Sequence, residues 1–96
     1  MSITTASNIN YDGGLFEYNK IYICSVGTDT SSEIIGFPSG AYGYGLLFCV
    51  FGLYSYTSFQ LYVSHQNEIF TRNLGARDLN KNYWIDRNGN QLQANT

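Results

Sequence analysis

The sequence predicts an all-β domain, a small antiparallel sheet or sandwich of about six short strands. Three observations lead there. Nine Tyr, six Phe and one Trp bring the aromatic content to 17%, and such side chains suit a pleated, half-buried surface. Ten Gly and a single Pro punctuate the apolar runs, as turns between strands require. No long stretch repeats its apolar residues at helical spacing.

Ninety-six residues make one domain with a modest core. Only 12% of the residues are charged, about half the share of an ordinary soluble domain. The formal charge is -2, and Lys20, Arg72, Arg77, Lys81 and Arg87 form no basic stripe. No nucleic-acid partner is therefore expected. The opening residues MSITTASNIN are polar and lack the basic and apolar regions of a signal peptide. The apolar run Leu46 to Phe51 is far shorter than a membrane-spanning helix, so no membrane insertion is expected. Low charge with abundant Tyr is the composition of a sticky surface or a subunit interface.

Along the chain, residues 1–10 are rich in Ser, Thr and Asn and read as a flexible lead or connector. The single domain then occupies 11–96. Tyr11 to Gly14 is a turn, and Lys20 to Val26 is a strand with Ile21 and Ile23 on one face and Tyr22 and Cys24 on the other. A polar loop, Gly27 to Ser32, precedes a short apolar piece, Glu33 to Phe37, and a Pro38-Ser39-Gly40 turn. The densest segment, Tyr42 to Phe51, is apolar without interruption, which implies burial on both faces. Either it is the central strand or one of its faces meets another copy of the chain. Cys24 and Cys49 fall within such segments and read as buried free thiols rather than a disulfide.

The following hairpin, Phe59 to Asn73, has a register that can be derived. With Ser64 opposite Glu68 across the loop His65-Gln66-Asn67, Val63 faces Ile69, Leu61 faces Thr71 and Phe59 faces Asn73. Tyr62 then meets Phe70, and Gln60 meets Arg72. A two-residue turn would set Leu61 against Arg72, a poor cross-strand pair. After a loop over Leu74 to Asn82, Tyr83 to Ile85 is a short strand and Asn88-Gly89 a tight turn. Gln91 to Thr96 returns as a strand or frays.

No catalytic constellation emerges. His65 stands alone at the hairpin tip and the acidic residues are scattered, so no enzyme, metal or cofactor is expected. The run Asp86 to Asn90 resembles the start of a calcium loop, but its glycine sits at the wrong position. Tyr42, Tyr44, Tyr54, Tyr56, Tyr62 and Tyr83 read singly as core or sheet-surface residues, but together they cluster near turn-rich strand ends. Each combines a flat apolar ring with a hydroxyl, which suits sugar stacking and protein interfaces alike.

The order of residues from Pro38 to Trp84 resembles the pyocin-knob family, small β-rich modules of bacteriophage tail fibres, tailspikes and phage-tail-like bacteriocins. The likeness rests on Pro38 before Tyr42-Gly43-Tyr44-Gly45, the strand Leu46 to Phe51, then Tyr56, Gln60-Leu61-Tyr62, Ile69-Phe70-Thr71-Arg72 and Trp84. It covers about half the chain. Such modules often carry a second aromatic soon after the Trp, whereas Ile85-Asp86-Arg87 follows here.

The resemblance implies a non-enzymatic C-terminal knob, homotrimeric, on a virion tail. Its role would be contact with bacterial surface polysaccharide, trimer locking, or both. The alternative is a monomeric carbohydrate-binding module of a virion-associated or secreted enzyme. Candidate glycan contacts are Tyr42, Tyr44, Tyr54, Tyr56 and Tyr83. Gln60, Arg72 and Trp84 form a second group with two open readings: a fastener, with Arg72 stacked on Trp84, or an anion grip in which Arg72 holds an acidic sugar.

Overall fold

The computed structural model describes residues 6–11, 15–74 and 83–96. Six strands form one antiparallel sheet in simple chain order: β1 (Lys20–Gly27), β2 (Tyr44–Phe51), β3 (Phe59–Ser64), β4 (Ile69–Asn73), β5 (Tyr83–Asp86) and β6 (Gln91–Gln93). The domain is thus all-β, built on one sheet rather than two. Short 3-10 turns occur at Ser31–Glu33 and Ser55–Thr57.

The β3–β4 hairpin has the register derived from side-chain pairing. Gln60 faces Arg72, Tyr62 faces Phe70, and Leu61 faces Thr71. Ser64 N–H donates to the Glu68 carbonyl at 3.0 Å, and Asn67 takes a positive φ of 63°, as the three-residue loop demands. At the β5–β6 turn the Asp86 carboxylate accepts from the N–H groups of Asn88 and Asn90, both at 2.9 Å. That carboxylate closes a turn, the role its Asn-Gly neighbourhood favours.

One face of the sheet is covered, though by irregular chain instead of a second sheet. Cys24, Val26, Leu47, Cys49, Phe51, Tyr62, Phe70 and Trp84 pack there against Ile9, Phe16, Ile34, Phe37, Ala41 and Ala94. Residues 6–10 correct the expectation of a flexible lead. Ile9 is fully buried, and Asn8 and Ile35 form a parallel bridge. The Ile9 N–H donates to Ile35 O and the Ile35 N–H to Ser7 O, both at 2.8 Å. An isoleucine flanked by asparagines can plug a core despite polar surroundings, because its backbone groups are all paired. Residues 1–5, most of the expected turn at Tyr11 to Gly14 and the loop over 75–82 lie outside the described residues.

Both cysteines are buried thiols outside any disulfide. They are diagonal neighbours on the covered face, since Cys24 faces Leu47 and Tyr22 faces Cys49. Desolvation raises both, Cys49 up to about 12.

Among the described residues, the opposite face is left uncovered. Register places Ile21, Val50, Phe59 and Asn73 in one row across four strands, and Ile23, Phe48, Leu61, Thr71 and Ile85 in the next. A third row runs Ser25, Leu46, Val63 and Ile69. None of these positions is charged. Ile21 is 70% exposed and Ile23 54%. The apolar run of β2 therefore divides between the core, through Leu47, Cys49 and Phe51, and this open face, through Leu46, Phe48 and Val50.

Candidate functional site: a buried clasp and three tyrosine outcrops

Gln60, Arg72 and Trp84 meet beneath the sheet. Strands β3, β4 and β5 are adjacent, and alternation turns all three side chains to the covered face. The Gln60 amide donates to the Ile9 carbonyl at 2.8 Å and to Cys49 Sγ at 3.3 Å, while its oxygen accepts from Arg72 Nε at 2.8 Å. The Arg72 guanidinium carbon lies 4.4 Å from the Trp84 ring centroid. Trp84 Nε1 in turn donates to the Gly36 carbonyl at 2.8 Å. The clasp thus ties the N-terminal segment and the loop at Gly36 to the sheet, satisfying polar groups that would otherwise be costly to bury. Arg72 is 4% exposed, so its charged end sits in the core.

The five tyrosines do not converge on one site. Tyr42 and Tyr44 lie together, ring centroids 5.4 Å apart and 44° between planes. They line a cleft of about 560 Å³ with Gly45, Leu46, Val63, Ser64 and His65. Tyr44 Oη donates to Asp29 Oδ1 and the Tyr42 N–H to Glu68 Oε1, both at 2.8 Å. The bond to the Asp29 carboxylate raises the Tyr44 phenol. Tyr54 and Tyr56 stack in parallel on the β2–β3 connection, 5.2 Å between centroids with a 2° interplanar angle. Thr57 Oγ1 and Ser58 Oγ hold that turn by donating to the Tyr54 carbonyl at 2.9 and 2.8 Å. Tyr83 stands apart in a smaller cleft of about 370 Å³ with Phe59, Thr71, Arg72, Asn73 and Ile85.

Tyr54 and Tyr83 nonetheless belong to one end of the sheet, because Asn73 Nδ2 donates to the Tyr56 carbonyl at 3.2 Å and Asn73 faces Phe59. Tyr42 and Tyr44 occupy the other end, beside the hairpin tip. Sequence reasoning missed Phe59, Asp29, Glu68 and His65 as neighbours of these rings. For Phe59 a signal existed: it shares the outward register of Leu61 and Val63 in β3. Nothing local connects Asp29 or Glu68 to a tyrosine.

Among the described residues no group of His, Cys, Asp and Glu is placed to hold a metal ion, and no helix is long and apolar enough to cross a membrane. No family model matches the chain, and no curated protein or solved structure does either.

Proposed function

We propose that this domain is a non-enzymatic knob of a phage tail fibre or tailspike. It assembles as a homotrimer on the virion and touches host surface polysaccharide. The observation that carries the reading is the open, uncharged sheet face. Ile21, Ile23 and Phe59, all outside the lining of the Tyr42–Tyr44 cleft, together expose more than one and a half apolar side chains' worth of surface. Burying that much yields on the order of 4 kcal/mol per copy. Association itself costs roughly 4–15 kcal/mol, so the half-buried residues between those three contribute as well. A face without charge has no means of orienting on a charged partner, and a second copy offers it the same apolar chemistry. Three such faces can surround one axis. The motif order Gln60-Leu61-Tyr62, Arg72, Trp84 supports the same family reading.

Light scattering on the purified protein tests the assembly, with three chains per particle expected. The alternative, a monomeric carbohydrate-binding module, draws support from the Tyr42–Tyr44 cleft. It predicts glycan affinity together with a one-chain mass.

A further inference from the structure

We infer that the Tyr42–Tyr44 cleft is a sugar subsite selective for an uncharged pyranose over a carboxylate-bearing one. The inference rests on the polysaccharide contact proposed above and specifies its chemistry and place.

Three features combine there. The first is shape: two tilted rings border a shallow, open depression floored by Leu46 and Val63. The apolar C–H face of a pyranose packs on such rings, as other flat ligands do.

The second is rigidity. Thr28 N–H donates to the Gly43 carbonyl at 3.0 Å, and His65 N–H to the Tyr44 carbonyl at 2.7 Å. Tyr62 Oη donates to the Tyr42 carbonyl at 2.6 Å. A Cβ at Gly43 would collide with the Thr28 carbonyl, and one at Gly45 with the Val63 carbonyl. The segment carrying both rings is therefore clamped from the end of β1 and from the β3–β4 hairpin. A clamped site loses little conformational entropy when it binds.

The third is charge. The lining contains no Lys or Arg, while the carboxylates of Asp29 and Glu68 anchor Tyr44 and Tyr42. Sugar hydroxyls donate readily to carboxylates, whereas a uronate brought beside them meets like charge.

Saturation-transfer NMR tests this with the methyl glycosides of glucose, galactose, mannose and N-acetylglucosamine, alongside methyl glucuronide. At least one neutral glycoside should receive transfer, and the glucuronide none. Tyr44→Ala should weaken the neutral signal about tenfold with an unchanged amide spectrum, and Tyr44→Trp should keep it. Asp29→Asn should admit the glucuronide. The subsite is overturned if no neutral glycoside receives transfer, if the glucuronide binds equally well, or if Tyr44→Ala binds like the parent. Light scattering on the same sample reports the assembly separately, so loss of the subsite and loss of the trimer remain distinguishable.

Discussion

Arg72 lies over the Trp84 ring, its guanidinium carbon 4.4 Å from the ring centroid, and the two side chains come from neighbouring strands β4 and β5. With Gln60 Oε1 accepting from Arg72 Nε, the pair is a fastener in the core. Arg72→Ala should cost about 2–4 kcal/mol in urea unfolding, from a desolvated cation–π contact and a charge-assisted hydrogen bond. Arg72→Lys should recover little, because an ammonium offers neither the planar stack nor the fork. A double-mutant cycle with Trp84→Leu should show coupling of about 1–2 kcal/mol. Unchanged stability in Arg72→Ala would return Arg72 to the reading of a surface anion grip.

Gly36 and Gly40 both have positive φ, 88° and 80°, yet they should respond differently to alanine. A Cβ at Gly40 meets open space, while one at Gly36 runs into the Asn10 side chain and approaches Arg72 Nη2. Gly40→Ala should therefore cost only the left-handed backbone penalty, about 1–2 kcal/mol. Gly36→Ala should cost distinctly more and disturb the loop that accepts the Trp84 hydrogen bond. Thermal unfolding of the two variants side by side measures the difference.

The thiols give a pH signature. Burial pushes Cys49 from an ordinary 9.0 up to about 12 and raises Cys24 in the same direction. Between these values the unfolded chain releases a proton that the folded protein keeps. The thiol contribution to stability is complete below about pH 9 and is lost as the pH climbs toward 12. Stability against urea should fall across that window, and Cys49→Ala should flatten part of the fall. In the native state at about pH 7.5, iodoacetamide should leave both thiols unmodified until the chain is unfolded.

Charge on the open face should separate assembly from folding. Ile21 is 70% exposed and Phe59 45%, so in an isolated chain Ile21→Lys with Phe59→Lys should change stability by about 0.5 kcal/mol or less per site. In the assembled protein the same pair of substitutions sets charges into an apolar contact. Sedimentation velocity should show the variant as single chains with an intact β-sheet spectrum. An assembly that survives both lysines would mean that another surface joins the copies.

Much of the sheet was legible because its information is local. Alternation in Ile21-Tyr22-Ile23-Cys24, the pairing chemistry of Gln60 with Arg72, and the Asn88-Gly89 turn each depend on residues close in sequence or directly opposed. The second layer was not legible, because it is made by irregular segments. Ile9 reaches the core through a single apolar residue in a polar run, and its partners, Ile35 and Gln60, lie far along the chain. The tyrosines illustrate the same limit. Tyr54 and Tyr56 are two residues apart and stack through a local turn, whereas Tyr83 sits across the sheet beside Phe59. Sequence spacing could group them by composition but not assign them to opposite ends of one sheet.

The proposed trimer depends most on the open face being closed by other copies of the chain. Multi-angle light scattering of the unmodified protein at about 100 μM, a concentration that favours even modest association, measures this directly. A particle of three times the 10.8 kDa chain mass is the predicted result. A particle of one chain mass throughout would contradict the account and leave the monomeric sugar-binding reading in its place.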